Sequence, residues 1–230
     1  MVKIAWDEKG THTYETGTDH GVLYAVGDDG TYGKGVAWNG LTKVTESPEG
    51  AEATDIYADN IKYLSLLSAE SLKGTIEAYT YPDEFGECDG TADLVAGVTV
   101  GQQTRKMFGF SYRTLEGNDT KGDAYGEKIH LIYGAKASPS ERAYETVNDS
   151  PAAVTFSWAF TTTPEAVDDA HKPTASITLS KDKTTPEIWK TITDTLYGSD
   201  ANTEAKLPTP KELLSLLKVP APTEGTGSKA

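Results

Sequence analysis

Four histidines, His12, His20, His130 and His171, are the first places to look for metal or acid–base chemistry in this chain. No two of them stand at a ligand spacing such as i, i+4 on a helix. His130 sits between Ile129 and Leu131, so strand alternation assigns it to a polar, solvated side. Asp83, Glu84 and Glu87 cluster directly after Pro82. That is first-turn helix chemistry, where the macrodipole favours acid, rather than a hydrolytic carboxylate pair. No nucleophile elbow, phosphate loop or dinucleotide fingerprint occurs, and no helical pattern follows the glycines of "GDDGTYGKG". Asp28 and Asp29 lack the spacing and distal Glu of a calcium loop and read as a turn. "NDT" at Asn118 and "NDS" at Asn148 match a glycosylation sequon but are also ordinary turn chemistry. The single cysteine, Cys88, excludes an intrachain disulfide and reads as a small core residue. The expectation is a protein that is no enzyme and carries no cofactor or metal.

The elements that would position any site are mostly strands. In "EKIHLIYGAKASPSERAYETVNDSPAAVTFSWAFTTTP" (127–164), Ile129, Leu131, Tyr133, Ala135 and Ala137 share one side of a first alternating stretch. Val154, Phe156, Trp158 and Phe160 share one side of a second. Period two over such lengths predicts half-buried strands. Phe108, Phe110 and Tyr112, then Ile76 and Ala78, then Ala175, Ile177 and Leu179 repeat the pattern and read as core. "LVAGVTVG" reads as one more strand, and Gly27-Asp28-Asp29-Gly30 as a hairpin turn. The period lengthens in "TPEIWKTITDTLYG", where Ile188, Trp189, Ile192 and Leu196 fall at helical spacing after Pro186 and before Gly198. "TPKELLSLLKV" predicts a second amphipathic helix, and "PDEFGEC" a short one. These readings divide the chain into an N-terminal arm (1–20), a β domain (21–182) with a long acidic loop at 39–55, a C-terminal helical segment (183–218) and a disordered tail (219–230).

With 230 residues the chain can bury a core without staples, and its 22 glycines and 12 tyrosines suit a β-rich protein. The start, "MVKIAWDEKG", shows no apolar signal region, and no run is long enough to span a membrane, so a soluble cytoplasmic product is expected. The formal charge is −14, with no basic run to hold phosphates. Specific nucleic-acid binding is therefore not expected.

Taken together in order, "YETGTDHGVLY" (14–24), "GVAWNGLTKVTESPEGAE" (35–52), "YADNIKYLSLLSAE" (57–70), "IEAYTYPDEFGECDG" (76–90), "GFSYRTLEGND" (109–119), "KIHLIYGAKASPSERAYETVNDSP" (128–151), "TFSWAFTTTP" (155–164) and "LPTPKELLSLL" (207–217) form a pattern. It resembles the major tail proteins, or tail tube proteins, of long non-contractile-tailed phages of Gram-positive bacteria. The likeness spans roughly 10–218 and rests on the ordered set, since no single motif is specific. It implies a mainly β fold, a tail-tube-type β-sandwich or barrel with one packed short helix and a C-terminal helical segment. It further implies a structural virion protein, made in the host cytoplasm and located in the tail. Its copies would form hexameric rings stacked into a conduit for DNA ejection. The partners implied are the chain itself and other phage tail proteins (tape-measure, distal-tail and terminator proteins). DNA would pass through the lumen without specific binding, and no membrane is involved.

The candidate inter-subunit contacts are Glu46, Glu49, Glu52 and Asp55 in the acidic loop, and Ser140, Glu141 and Arg142 in the connection between the two strands first quoted. The competing expectation is a glycan- or peptide-binding β-sandwich of a virion or cell surface. It would use Tyr57, Tyr63, Tyr79 or Tyr81 as a stacking platform.

Overall fold

The structure, a computed structural model, describes residues 4, 6–144, 146, 153–200 and 203–217. The tail at 219–230 and part of the 138–155 connection lie outside them. The chain is mainly β, with a large antiparallel sheet and a few short helices. In chain order the strands are β1 (Thr13–Ala25), β2 (Val36–Trp38), β3 (Leu41–Glu49), β4 (Ala53–Ala58), β5 (Ile61–Leu67) and β6 (Ser71–Ala78). They continue with β7 (Ala92–Val95), β8 (Val98–Val100), β9 (Phe108–Asn118), β10 (Gly122–Ala137), β11 (Phe156–Thr162) and β12 (Ser176–Ser180). Helix α1 (Gly86–Asp89) follows a 3₁₀ turn at Asp83–Phe85, and α2 (Pro186–Tyr197) and α3 (Pro210–Leu217) come last.

Eight strands form the main sheet, in the order β2-β1-β9-β10-β11-β6-β3, with β12 on a branch from β10. The branch arises inside β10. Residues 128–132 pair with β12, whereas Ala135–Ala137 pair with Phe160–Thr162 of β11. Between them Gly134 has φ +55°, and the register against β9 slips between Ile132 and Ala135. Such an extra residue bends a strand and inverts its side-chain parity. Ile129, Leu131 and Tyr133 therefore face one core, and Ala135 and Ala137 face the other. The single continuous stripe read from the sequence is in fact two stripes on opposite faces.

The bend folds the sheet around a first core of Leu23, Trp38, Ile76, Phe85, Phe108, Phe110, Trp158 and Phe160. Trp38 meets Phe85 at 4.5 Å and Trp158 at 5.4 Å between ring centroids, the second edge-on as ring quadrupoles favour. Cys88 is buried here, and burial pushes its thiol up to about 12. A second core lies on the outer face of β1, β10 and β12. There Val22, Tyr24, Ile129, Leu131 and Leu179 pack under Trp189, Ile192 and Leu196 of α2 and Leu213 of α3. Each such fully buried apolar side chain contributes roughly 1.5–3 kcal/mol.

Both helices start as the sequence requires. Thr185 Oγ1 accepts from Ile188 N–H at 3.4 Å, with Pro186 in the first turn. Thr209 Oγ1 accepts from Glu212 N–H at 3.3 Å while Glu212 Oε2 accepts from Thr209 N–H at 3.0 Å, a capping box. The Asp28-Asp29 turn also forms, Gly30 N–H donating to Gly27 O at 3.0 Å.

Three expectations are corrected. The supposed acidic loop at 39–55 contains β3 and the start of β4. Its polar residues hid β3 because that strand is an edge, where Pro48 is tolerated and one face meets water. The last eight residues of the supposed N-terminal arm are strand, since β1 begins at Thr13 and pairs with β9. "LVAGVTVG" is not one strand but a β7–β8 hairpin turned at Gly97, whose φ is +81°.

Candidate assembly surface

The β4–β5 hairpin leaves the molecule between β3 and β6. Asp59 (φ +52°) and Asn60 (φ +63°) make its turn, both left-handed as a primed two-residue loop demands. Lys62 Nζ meets Asp55 Oδ1 at 2.7 Å, and Ser65 also donates to Asp55. Little else holds it. Every residue of β5 is exposed, and Ile56, Tyr57, Ile61, Tyr63, Leu64, Leu66 and Leu67 range from 38% (Leu64) to 72% (Leu67) exposed. An isolated two-stranded hairpin is only marginally stable in water, and a contiguous apolar patch of this kind marks an interaction surface.

A second hairpin, β7–β8, repeats the arrangement. Gln103 N–H donates to Gly90 O at 2.9 Å and closes its base. Leu94 (67%), Val95 (63%) and Val98 (49%) are exposed. The two hairpins leave opposite ends of β6. The first joins Glu49 to Ser71, where β6 begins. At the other end, Ala78 pairs with Phe156, whose ring meets Tyr81 at 5.5 Å, and the chain passes through Phe85 and α1 into the second.

Between these ends β3, β6 and β11 present a bare face. Neither α2 nor α3 shares a core cluster with these strands. Cross-strand register places Lys43, Glu77 and Ser157 in one row, Thr45, Thr75 and Ala159 in the next, and Ser47, Lys73 and Thr161 in the third. Lys43 pairs with Glu77 at 3.6 Å and Lys73 with Glu49 at 2.5 Å. The far edge of β3 pairs with no strand among the described residues.

β1 approaches that edge without completing a ladder. Leu41 lies so close to Gly21 that a Cβ there would sit 2.4 Å from Leu41 Cδ1. Further along, the strands part around a cleft of about 410 Å³ lined by Glu15, Thr18, Val44, Tyr112, Thr114 and His130, among others. Tyr112 Oη donates to Glu46 Oε1 at 2.7 Å and so ties β3 to β9 across the gap. Burial, reinforced by Glu46, pushes the Tyr112 hydroxyl pKa up. His130 stacks on Tyr112, with centroids 4.6 Å apart and planes 9° from parallel. Its side chain is 14% exposed, and burial lowers its pKa against the pull of Glu46 and Glu15. The solvated strand histidine expected from alternation is thus a half-buried member of the inner face.

Beside the cleft, Arg113 clasps Asp19 through Nε (2.8 Å) and Nη2 (2.7 Å) and reaches Glu127 with Nη1 (2.7 Å). Asp19 holds the guanidinium pKa up, and Arg113 in turn holds Asp19 below the usual carboxylate range. These groups are mutually satisfied, as a structural ion network is. No group of three or more His, Cys, Asp or Glu among the described residues is arranged to hold a metal ion. No helix there is long and apolar enough to cross a membrane.

The seven expected contact residues separate into two regions. Glu46 and Glu49 are on β3 and Asp55 on β4, all three with intramolecular partners. Glu52 lies between those strands, its backbone N–H donating to Ser68 Oγ at 3.1 Å. Ser140 accepts from Ala159 N–H at 3.1 Å, and Glu141 is exposed. Arg142 pairs with Asp89 and lies over the rings of Tyr81 (5.6 Å) and Phe156 (5.9 Å). Tyr57 and Tyr63 are on the first hairpin, while Tyr79 and Tyr81 follow the opposite end of β6, so the four share no platform.

What the acidic residues left unmarked is the apolar hairpin beside them. Its signal was in "IYADNIKYLSLL", two apolar runs about an Asp-Asn turn with too few polar positions for either face to be solvated. No protein-family model matches this chain, and no curated protein matches it either.

Proposed function

We propose that the chain is a structural subunit that assembles with copies of itself, as the major tail tube subunit of a long-tailed phage. The observation that carries this reading is the exposed apolar β4–β5 hairpin, which has no partner within the described chain. The unpaired edge of β3 supports it, because closing a sheet across subunits removes an edge that otherwise invites uncontrolled pairing. The rings would be six-membered, as the resemblance implies, and stacked by head-to-tail contacts that repeat without an internal stop.

In this reading the bare face of β3, β6 and β11 lines the bore, and the face under α2 and α3 points outward. The bare face offers small polar side chains, with Lys43 and Lys73 engaged by carboxylates. DNA phosphates then find few free cations to release counterions against, and the duplex slides. Lys136, beside Thr161 and exposed, would add a third cation to that lining.

Electron microscopy and sedimentation of the purified chain across a concentration series test the proposal. Rings or hollow tubes of uniform width are expected. Replacing 53–67 by a short Gly-Ser turn should abolish them and leave a folded monomer, because the hairpin contributes no side chain to either core. A chain that stays monomeric at every concentration, or tubes that persist without the hairpin, would overturn it.

A further inference from the structure

We propose that the tip of the β7–β8 hairpin docks, in the next copy of the chain, into the groove at the root of the β4–β5 hairpin. This deepens the self-assembly reading and rests on it.

The groove has a volume of about 900 Å³ and lies where β3 ends and β6 begins. Pro48, Leu67, Leu72, Pro164 and Pro173 give it apolar walls. It is large enough for several side chains, and no segment among the described residues fills it. The tip at the opposite end of β6 is the matching shape: Leu94, Val95 and Val98 around the tight Gly97 turn, all exposed. Because the two features leave opposite ends of one strand, no copy can satisfy its own groove. A tip-in-groove contact is heterologous, so it propagates as an open stack rather than closing into a dimer.

Charge favours the same pairing. A chain of net charge −14 repels its copies, so a stacking contact must be built from its least acidic parts. Residues 92–103 carry one charge, Asp93. The groove lip carries Lys172, exposed and without a carboxylate partner among the described residues. Of the groove's acids, Glu46 is occupied by Tyr112, which leaves Glu70 as the counterweight. Seating the tip brings Asp93 towards Lys172 while Leu94 and Val98 leave water.

Two experiments on the full chain decide it. The variant Leu94→Asp/Val98→Asp should raise the concentration needed for assembly by roughly tenfold or more, since it replaces two buried apolar groups by charge. Its circular dichroism should match the parent's, because neither residue is in a core. The pair Ala96→Cys with Ser68→Cys, oxidised in the assembled state, should give a reducible ladder of linked copies. Buried Cys88 stays out of the reaction. Ser68→Cys alone giving full linkage to dimers would mean that the groove meets its own counterpart, and would overturn the inference. So would assembly unaffected by the two aspartates, with no ladder; in both cases self-assembly itself would stand. A parent chain that never assembles would overturn both.

Discussion

Gly134 decides which core half of β10 serves, and replacing it tests that role quantitatively. Its φ is +55°, and a Cβ at this position would lie 2.4 Å from Thr163 O, a backbone atom that cannot swing aside. Gly134→Ala therefore carries two penalties. The left-handed backbone disfavours an L side chain by about 1–2 kcal/mol. The clash forces the β10–β11 crossing apart, an overpacking cost of about 1–3 kcal/mol. Gly122 supplies the control, with φ +57° and nothing within 4 Å of a built Cβ. Gly122→Ala should show only the first penalty. Urea unfolding followed by tryptophan fluorescence reads both, since Trp38 and Trp158 are 2% and 1% exposed in the core the bend creates. With a slope of roughly 2–3 kcal/mol per molar urea, the two midpoints should differ by about 1 M. Coincident midpoints would refute the reasoning: the fork would then be plastic, and Gly134 merely a turn-forming glycine.

Arg142→Ala removes the guanidinium from Asp89, which is 8% exposed and keeps, among the described residues, only the Trp158 Nε1 donor at 3.3 Å. Stability should fall by about 3 kcal/mol, while Arg142→Lys should recover part of it, both by thermal melting. Tyr112→Phe keeps the ring on His130 but leaves Glu46 without its donor. A loss of about 1–3 kcal/mol is expected in urea titration, together with faster hydrogen exchange in 41–49 by mass spectrometry. His130 is neutral in the fold because burial lowers its pKa. Its contribution is therefore complete above the ordinary histidine value of about 6.5 and is lost as pH falls through the lower folded value. Tyr112, Thr114, Thr178, Glu15, Glu46 and Lys128 face it. His130→Gln should flatten the decline in stability as pH falls below about 6.5, whereas the acid loss from Asp19 below about pH 4 should remain. An unchanged slope just below about pH 6.5 would remove His130 from that account.

The sequence was informative where one rule governed a segment alone. The stripes Phe108–Phe110–Tyr112 and Trp158–Phe160 are core, and α2 begins and ends where Thr185, Pro186 and Gly198 place it. It misled where a tertiary partner changed the rule. Alternation cannot announce a parity inversion at Gly134, because Ala135 and Ala137 carry on the apolar period of Ile129, Leu131 and Tyr133 without a break. β3 looked like a loop because Glu46 occupies an inward position, and only the distant Tyr112 makes that tolerable. The expected contact residues were chosen for charge, yet their charges are largely spent within the chain. The candidate surface is apolar instead, and the proposal that it is an interface rests on the absence of covering strands among the described residues, a fact of topology that local pattern does not contain.

The strand order also sets a schedule for synthesis. β1 emerges from a ribosome well before its main neighbour β9, which pairs Thr13 with Asn118. β2 and β3, two residues apart in the chain, end at opposite limits of the sheet path and take their places only when the strands between them exist. The Ile, Leu and Tyr residues of 53–67 are meanwhile already outside the exit tunnel. A nascent chain of this protein thus carries an unpaired strand and its stickiest segment in the open until β9 has been made. Folding that depends on such distant pairings is slow, so production of the chain should depend on chaperones that hold residues 13–67 until residue 118 has been translated.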